Sequence, residues 1–277
     1  MTQRKDLYKQ SWYKKLYPED AKRMEEEAQK KLNPDDQESI WEMIKTAILA
    51  VLLALIIRTF VAEPFNIPSG SMVPTLLVGD YLFVSKYSYG YSKYAFPLDL
   101  ATFDGRIMAD TPKRGDVAVF RQPKQPSIDY IKRIVGLPGD TISVKDGILY
   151  INDTAVIRKK MSIEHLEDSF GRLSNYQRYK EILPNGYAHP IVEKSDEELY
   201  DNTQTYIVPE GHFFAMGDNR DNSQDSRAMA AVGFVPMDNL VGKAQFIFFS
   251  TDGTARFTHF WEWPGAIRWN RLFNKIH

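Results

Sequence analysis

A long uncharged segment near the N-terminus limits the folds open to this chain more than any other feature. Residues 46–57 (TAILAVLLALII) contain no charged side chain, and with their flanks they form an apolar segment over residues 40–62. At about 1.5 Å of rise per residue, a helix of this length is long enough to cross a bilayer. A buried helix of a soluble domain is the alternative, but the uninterrupted run beside a long polar tail favours a membrane span. We therefore predict a transmembrane anchor over residues 40–62.

The basic residues around this segment predict its orientation. Those that precede it include Lys22, Arg23, Lys30, Lys31 and Lys45. After Arg58 there is no Lys or Arg until Lys86. By the positive-inside rule, the charged tail over residues 1–39 lies in the cytoplasm, and the chain beyond residue 63 lies on the far side of the membrane. The tail is too long and too mixed in charge for a cleaved signal peptide, so we expect a single retained span.

The composition excludes several kinds of protein. Lys and Arg total 35 and Asp and Glu total 36, for a formal net charge of −1. No global positive field is available to hold nucleic acid, so we expect no nucleic-acid partner. The chain has no cysteine, which excludes disulfides, thiolate zinc sites, iron–sulfur clusters and a cysteine nucleophile. We expect it to need no metal and no other cofactor.

Beyond residue 63, short alternating or apolar runs bounded by Gly, Pro and Asp are typical of β-strands. The runs lie at residues 81–85, 117–121, 130–135, 141–144, 148–151, 206–208, 213–216 and 241–250. They predict a mainly β fold, with an antiparallel β-rich core over residues 63–157 and 205–259 built as a barrel or folded sheet. Residues 158–204 are polar, mixed in charge and without a sustained strand pattern. We expect them to form a small inserted subdomain.

The last segment, residues 260–277, combines aromatic and basic side chains. They are Phe260, Trp261, Trp263, Trp269 and Phe273 beside Arg268, Arg271 and Lys275. This composition is typical of a segment at a membrane interface. An aromatic flap packed on the core is an equal alternative.

The motif PSGSMVPT, at residues 68–75, directly follows the apolar region. Two prolines and a glycine fix an irregular backbone that can expose Ser71 on a tight turn. A serine presented in this way can act as a nucleophile, although SGS is also a common turn sequence.

A second motif, DYIKRIVGLPGD at residues 129–140, contains a candidate base. In a strand, the period of two puts Tyr130, Lys132 and Ile134 on one face. A lysine beside apolar side chains can have a lowered pKa, and an edge lysine whose stem covers apolar surface is the alternative. None of the five histidines lies in a motif with a serine or an acid, so lysine is the base available to Ser71.

A third motif, GDNRDNSQDSR at residues 217–227, is a dense polar run after an apolar strand. Its Asp, Asn and Ser side chains can bond to neighbouring backbone, and Asp–Arg pairs can lock the loop. A plain surface loop or a calcium loop is the alternative. The acidic spacing does not match the twelve-residue calcium pattern.

In this order, behind an N-terminal anchor, the three motifs resemble those of bacterial type I signal peptidases, the Ser/Lys leader peptidases. The segments GDYLFV (79–84) and RGDVAVF (114–120) resemble the strand motifs of that family, and GFVP (233–236) follows the last motif. The likeness covers about residues 40–157 and 206–250 and implies a β-rich catalytic core. The chain departs from the family pattern in AMAAV (228–232), which is longer than the shortest family version, and in its single evident span.

The resemblance implies a role for each site residue. Ser71 is the expected nucleophile and Lys132 the expected general base. The Ser69 hydroxyl and the Ser71 N–H are expected to form the oxyanion hole. Ser223 is expected to orient Lys132.

A supporting pair completes the set of residues that the resemblance assigns. Asp225 and Arg227 are expected to hold the last motif together as a structural pair. Asp218 and Asn219 could belong to either the chemistry or the scaffold.

The resemblance also implies an activity. The chain would be a membrane-anchored serine endopeptidase of a bacterial cytoplasmic membrane. It would remove signal peptides from exported precursors at the outer face, through an acyl-enzyme. Small precursor residues at −3 and −1, a lipid bilayer as partner and a monomeric state are expected. The alternatives are a related Ser/Lys peptidase, such as a self-cleaving repressor, and a catalytically dead membrane-anchored binding module. The anchor counts against the first, and the intact Ser71, Lys132 and Ser223 count against the second.

Overall fold

The structure is a computed structural model that describes residues 11–31, 34–96, 103–167, 172–255, 259 and 261–277. The chain divides into two compact units, residues 1–55 and residues 56–277. The helices are α1 (Ser11–Leu16), α2 (Pro18–Lys31), α3 (Pro34–Phe60) and α4 (Trp263–Ala266).

Helix α3 contains the apolar segment that the sequence analysis identified. Over Ser39–Phe60 it is long and apolar enough to cross a membrane, with a mean hydropathy of 2.2, and its most apolar part is not buried. The predicted apolar N-terminal helix is therefore confirmed. It ends slightly before the predicted boundary at residue 62, because the chain turns at Val61 and enters the first strand at Ala62.

The second unit is built mainly from antiparallel strands, which confirms the predicted fold class. The strands are β1 (Ala62–Asn66), β2 (Asp80–Ser85), β3 (Val117–Gln122), β4 (Gln125–Gly136), β5 (Thr141–Lys145), β6 (Ile148–Ile151), β7 (Thr154–Ala155), β8 (Ile157–Glu167), β9 (Leu173–Ile182), β10 (Ala188–Glu193), β11 (Tyr206–Ile207), β12 (His212–Met216), β13 (Val235–Pro236) and β14 (Leu240–Ser250). Seven of them form the main sheet in the order β1-β2-β14-β3-β4-β12-β13, and β11-β5-β6-β7 form a smaller one.

Strand β4 crosses from the surface into the core of the main sheet. Its first residues are exposed, whereas its last five, from Lys132 to Gly136, are buried. Val117 of β3 lies opposite Arg133, and Ala118 lies opposite Lys132. Apolar residues of β3 therefore lie beside Lys132 and Arg133 where β4 enters the interior.

Residues 158–204 contain strands that the sequence pattern did not indicate. Strands β8, β9 and β10 form a three-stranded antiparallel sheet with β9 in the middle. Most of β8 is exposed, so charged and polar side chains occupy both of its faces. Backbone pairing does not require apolar alternation, and this is why the pattern was missed. The connection at residues 168–171 is outside the described residues.

The C-terminal segment combines features of both alternatives raised for it. Its backbone is attached to β14, because the Phe273 N–H donates to the Ile247 carbonyl at 2.7 Å and the Ile276 N–H donates to the Gln245 carbonyl at 2.9 Å. Several of its aromatic side chains are nevertheless exposed, namely Trp261, Trp263, Trp269 and Phe273. Phe260 lies outside the described residues.

Candidate active site

Ser71 lies in a single 3₁₀ turn, Gly70–Met72, between β1 and β2. The turn is held from the loop over residues 217–227. The Asn219 N–H donates to the Ser71 carbonyl at 3.1 Å, and the Asn219 side-chain amide donates to the Gly70 carbonyl at 3.2 Å. Ser71 is only 7% exposed and the Met72 side chain is fully buried. The hydroxyl is therefore fixed at the edge of the interior rather than on a free turn.

Lys132 reaches Ser71 from β4. Its Nζ donates to the Ser71 Oγ at 2.6 Å, and the residue is 5% exposed. The Tyr130 ring, on the same side of the strand, lies 5.3 Å from Nζ. The structure thus brings together a hydroxyl and an amine that are far apart in the sequence.

Burial lowers the pKa of Lys132 to about 8. The carboxylates of Asp225 and, to a smaller extent, Asp218 act in the opposite direction, and Arg227 adds a further lowering. In the part of the chain that the structure describes, no carboxylate forms an ion pair with the amine. Because the charged ammonium has lost most of its hydration, a much larger fraction of Lys132 is neutral near pH 7 than of an ordinary lysine.

The 217–227 loop packs against the back of the serine turn at Gly217. A Cβ on this glycine would lie 2.5 Å from the Ser71 carbonyl oxygen and would overlap the Ser223 hydroxyl. No larger residue fits between these two groups unless the loop moves. Gly217 was not among the site residues predicted from the sequence, although its place at the start of the third motif could have indicated it.

Asp225 and Arg227 form the pair that was expected inside this loop. The Arg227 Nε donates to Asp225 Oδ1 and its Nη2 to Oδ2, both at 2.9 Å, and Asp225 also accepts from the Gly217 N–H at 2.9 Å. Burial acts to raise the pKa of Asp225, but Arg227 overcomes this and lowers it. The pair is almost completely buried and fixes the two ends of the loop against each other.

The two other serines stand in different relations to the reacting pair. The Ser69 Oγ lies 3.5 Å from the Ser71 Oγ on the exposed side of the turn. Ser223 is buried, and its hydroxyl makes no hydrogen bond of ordinary geometry to any described residue, although its contact with Asp225 contributes to the lowered pKa of that carboxyl. The structure therefore brings Ser223 to the neighbourhood of the site without joining it to Lys132.

Arg133 anchors the loop from the opposite face of β4, a role that the sequence analysis did not assign. It makes two bonds to Asp218, from Nε at 2.8 Å and from Nη2 at 2.7 Å. The Thr75 hydroxyl donates to the same carboxylate at 2.5 Å. Because Arg133 and Asp218 are both buried, this charge-assisted cluster ties β4, the loop and the segment after Ser71 to one another.

A groove of about 510 Å³ opens beside the hydroxyl. Ser69, Ser71 and Lys132 line one part of it, and the apolar residues along its walls are Phe65, Ile67, Val119, Ile128 and Ile131. Tyr130 and Gln224 also line it and are joined by a hydrogen bond of 2.7 Å. The arrangement can receive an extended segment with small or apolar side chains next to the hydroxyl.

No group of three or more metal-ligating side chains occurs among the residues that the structure describes. The chemistry that this arrangement can perform is nucleophilic attack by a hydroxyl, with an amine as the base.

Comparisons with known proteins identify the family that the chain matches. The family described as signal peptidase, peptidase S26, matches residues 40–249. A protein named signal peptidase I from Rickettsia canadensis (strain McKiel) is 42% identical over 255 residues, covering 84% of this chain and 92% of that protein. Another from Rickettsia typhi (strain ATCC VR-144 / Wilmington) is 38% identical over 267 residues, covering 88% and 97%. A solved signal peptidase I from Enterococcus faecalis V583 is 29% identical, covers 48% of this chain and 97% of its own, and superposes with a TM-score of 0.28.

Proposed function

The chain belongs to the signal peptidase family, peptidase S26, and on this premise we propose that it is a membrane-anchored Ser/Lys endopeptidase. It removes signal peptides from exported precursor proteins at the outer face of a bacterial cytoplasmic membrane. The observation that carries the proposal is the 2.6 Å hydrogen bond between the Lys132 amine and the Ser71 hydroxyl, with both residues buried.

The reaction begins with the neutral form of Lys132. Its amine takes the proton of the Ser71 hydroxyl as Oγ attacks the carbonyl carbon of the scissile peptide bond. The C–N bond of the resulting tetrahedral intermediate then breaks, and the ammonium gives its proton to the departing amine. The acyl group stays on Oγ as an ester. Lys132, neutral again, takes a proton from a water as that water attacks the ester carbonyl carbon. The C–Oγ bond then breaks, and the Lys132 ammonium returns the proton to the Ser71 oxygen, which restores both groups.

The lowered pKa of Lys132 makes this base usable near neutrality. An ordinary lysine, with a pKa near 10.4, is neutral in only about one molecule in 2,500 at pH 7. With a pKa of about 8, the neutral fraction at pH 7 rises to roughly one in ten. Burial therefore supplies a gain of more than two orders of magnitude in the reactive form.

Ser69 and Ser223 have supporting roles in this proposal. The Ser69 hydroxyl and the Ser71 N–H receive the oxyanion that forms in the tetrahedral intermediate, where such donors are most valuable. The 3.5 Å separation of the two hydroxyls supports this role for Ser69. Ser223 orients the Lys132 amine once substrate is bound. Asp225 and Arg227 hold the loop that carries Ser223.

Substrate preference and location complete the proposal. Small residues at positions −3 and −1 of the precursor enter the groove beside Ser71. The apolar helix over Ser39–Phe60 crosses the membrane once, with the N-terminus in the cytoplasm. The enzyme acts as a monomer, without a cofactor, on precursors held at the same membrane.

Cleavage of a precursor with an Ala-x-Ala site tests this function. The full-length protein, in detergent or lipid vesicles, is expected to cut after the second alanine. Ser71→Ala and Lys132→Ala should each abolish cutting, whereas Lys145→Ala, which removes an exposed lysine of β5, should leave it unchanged. Cutting by Lys132→Ala at the normal rate would contradict the base assignment. A wild-type protein that does not cut would contradict the function itself.

A further inference from the structure

The sheet formed by β8, β9 and β10 is bonded directly to the 217–227 loop. The Val192 N–H of β10 donates to the Asp218 carbonyl at 2.9 Å, and Val192 forms a parallel bridge with Asn219. Just beyond the strand, the Lys194 N–H donates to the Asp221 carboxylate at 2.6 Å. The loop therefore continues this sheet for a short distance on the side of β10 that β9 leaves free.

A buried ion pair strengthens this junction. The Arg220 Nη2 lies 2.5 Å from the Oε2 of Glu181 on β9, and both residues are at most 2% exposed. Burial acts to raise the pKa of Glu181, but Arg220 overcomes this and lowers it, so the carboxylate is ionised. Two buried charges that are paired with each other keep a fixed geometry, because neither can form hydrogen bonds to water instead.

The other acidic side chains nearby have different cationic partners. Glu193 contacts Arg158, although burial raises the pKa of Glu193 to about 8, and Asp218 pairs with Arg133. His189, directly opposite Glu181 in the strand register, has a pKa lowered to about 4, chiefly by burial and then by Arg133. It is therefore neutral at pH 7 and adds no charge. Within the described residues, Glu181 is the carboxylate bonded to Arg220.

Apolar packing links the same sheet to the segment after the nucleophile. Val73, two residues beyond Ser71, is buried in a cluster with Tyr176 of β9 and Val192 of β10. The sheet thus contacts both halves of the site, the serine turn through Val73 and the loop through Val192 and Arg220.

Hydrogen bonds within the 217–227 loop connect Arg220 to the residues around Ser71 and Lys132. The Arg220 carbonyl accepts from Arg227 Nη2 at 2.5 Å, and Arg227 holds Asp225. The preceding residue, Asn219, holds the Ser71 carbonyl. A displacement of Arg220 would therefore disturb the turn that positions Ser71 and the loop that lines the groove beside Lys132.

We infer that Glu181 is a positioning residue for the peptidase reaction: it fixes Arg220, and through it the 217–227 loop, so that Ser71 and Lys132 stay in contact. The inference rests on the proposed peptidase function. It also gives the β8–β10 sheet a part in catalysis, although none of its residues touches the reacting atoms.

Three variants of the full-length protein test this role. Glu181→Gln removes the carboxylate. The double variant Glu181→Gln/Arg220→Gln removes both charges, so that no uncompensated ion is left buried and the protein regains stability. Glu164→Gln is the matched control, because Glu164 pairs with Arg178 in the same sheet at a half-buried position away from the loop.

The kinetic measurements are kcat, KM and the pH dependence of precursor cleavage, together with urea unfolding. Glu181→Gln should lower kcat by about 100-fold, since small displacements of reacting groups have effects of that size. The acid limb of its profile should move to higher pH, because water reaches Lys132. The double variant should recover stability but keep the low kcat. The control should match the wild type.

Two kinetic results would each overturn the inference. One is a wild-type kcat in the double variant, which would limit the pair to a stabilising role; the other is an unchanged kcat and pH profile in Glu181→Gln. Amide hydrogen exchange separates this outcome from a failure of the proposed function. Exchange at Asn219 should be at least about tenfold faster in Glu181→Gln than in Glu164→Gln, whether or not the protein cleaves the precursor. Equal exchange rates would contradict the inference directly.

Discussion

Lys132 and Arg133 are adjacent cations in β4 with opposite electrostatic surroundings. Strand alternation turns Lys132 toward the Ser71 hydroxyl and Arg133 toward the Asp218 carboxylate. Burial lowers the pKa of Lys132 to about 8. Burial also acts to lower the pKa of Arg133, but Asp218 overcomes this and raises it. One strand thus presents a base that can lose its proton beside a cation that cannot.

Gly217 provides a test of packing at the level of a single atom. Gly217→Ala would place a methyl group against the Ser71 carbonyl and the Ser223 hydroxyl, so the loop must move. We expect a loss of kcat/KM on the order of 100-fold, because the reacting groups are displaced. Gly265→Ala is the control, since a Cβ there has no neighbour within 4 Å. Precursor cleavage by both variants is the measurement. Equal activity would show that the 217–227 loop can move to accommodate the methyl group without displacing the reacting groups.

The sequence identifies single residues of the candidate site better than it identifies their contacts. Ser71, Lys132 and the 217–227 loop stand out as motifs, and alternation along residues 130–134 indicates which side chains share the face of Lys132. The Glu181–Arg220 pair could not be predicted in this way. Glu181 lies in no motif, and its partner is set by the pairing of β9 and β10 beside the loop.

At the scale of elements, strands were predictable where one face is buried. Strand β6 has the predicted bounds, and β2, β5 and β14 differ from prediction by one residue. Strands β8 and β9 were not predicted, because solvent covers much of both faces and leaves no apolar alternation. The short strand β1 was not predicted. It lies between the apolar segment and the serine motif, and it contains Pro64, which disfavours a strand.

A buried charge holds the C-terminal segment to the core in addition to the backbone hydrogen bonds to β14. Arg271 makes two bonds to Asp80, from Nε at 3.0 Å and from Nη2 at 2.6 Å, and Asp80 is fully buried. Arg271→Gln should therefore lower the free energy of unfolding by about 3 kcal/mol, because it leaves a buried carboxylate without its cation. Urea denaturation is the measurement.

Arg268→Gln is the control for that experiment, because among the described residues the Arg268 side chain donates hydrogen bonds to neutral oxygens alone, those of Val78 and Ser250. Its loss should stay within about 1 kcal/mol. Equal losses in the two variants would mean that the segment is not anchored through Asp80.

At the scale of the whole molecule, the composition changes sharply along the chain, although the charge averaged over all residues is close to zero. The near-neutral total conceals a charged tail, an apolar segment without charge over residues 46–57 and a β-rich unit that follow one another. The apolar helix was predictable because a bilayer imposes both a length and an apolar composition on a helix that crosses it. The sequence could not indicate how residues 158–204 fold, since β8 is mostly exposed and the buried positions of β9 and β10 include charged and polar side chains as well as apolar ones.

Membrane anchoring by α3 predicts the result of alkaline extraction. The full-length protein should stay in the membrane pellet. Leu52→Lys/Leu53→Lys should release it, because each lysine near the centre of a span costs about 2.5–3.5 kcal/mol. Leu16→Lys, in α1 outside the apolar segment, is the control and should remain in the pellet. Retention of the double-lysine variant would contradict anchoring by this helix.

The pH dependence of kcat/KM for precursor cleavage tests the central claim, that Lys132 acts as a neutral base. This quantity reports the ionisation of the free enzyme. Since the base must be deprotonated and its pKa is about 8, kcat/KM should rise about tenfold per pH unit below pH 8 and level off above it. A profile that is flat between about pH 6 and pH 9, or that turns near the ordinary histidine value of about 6.5, would contradict the account.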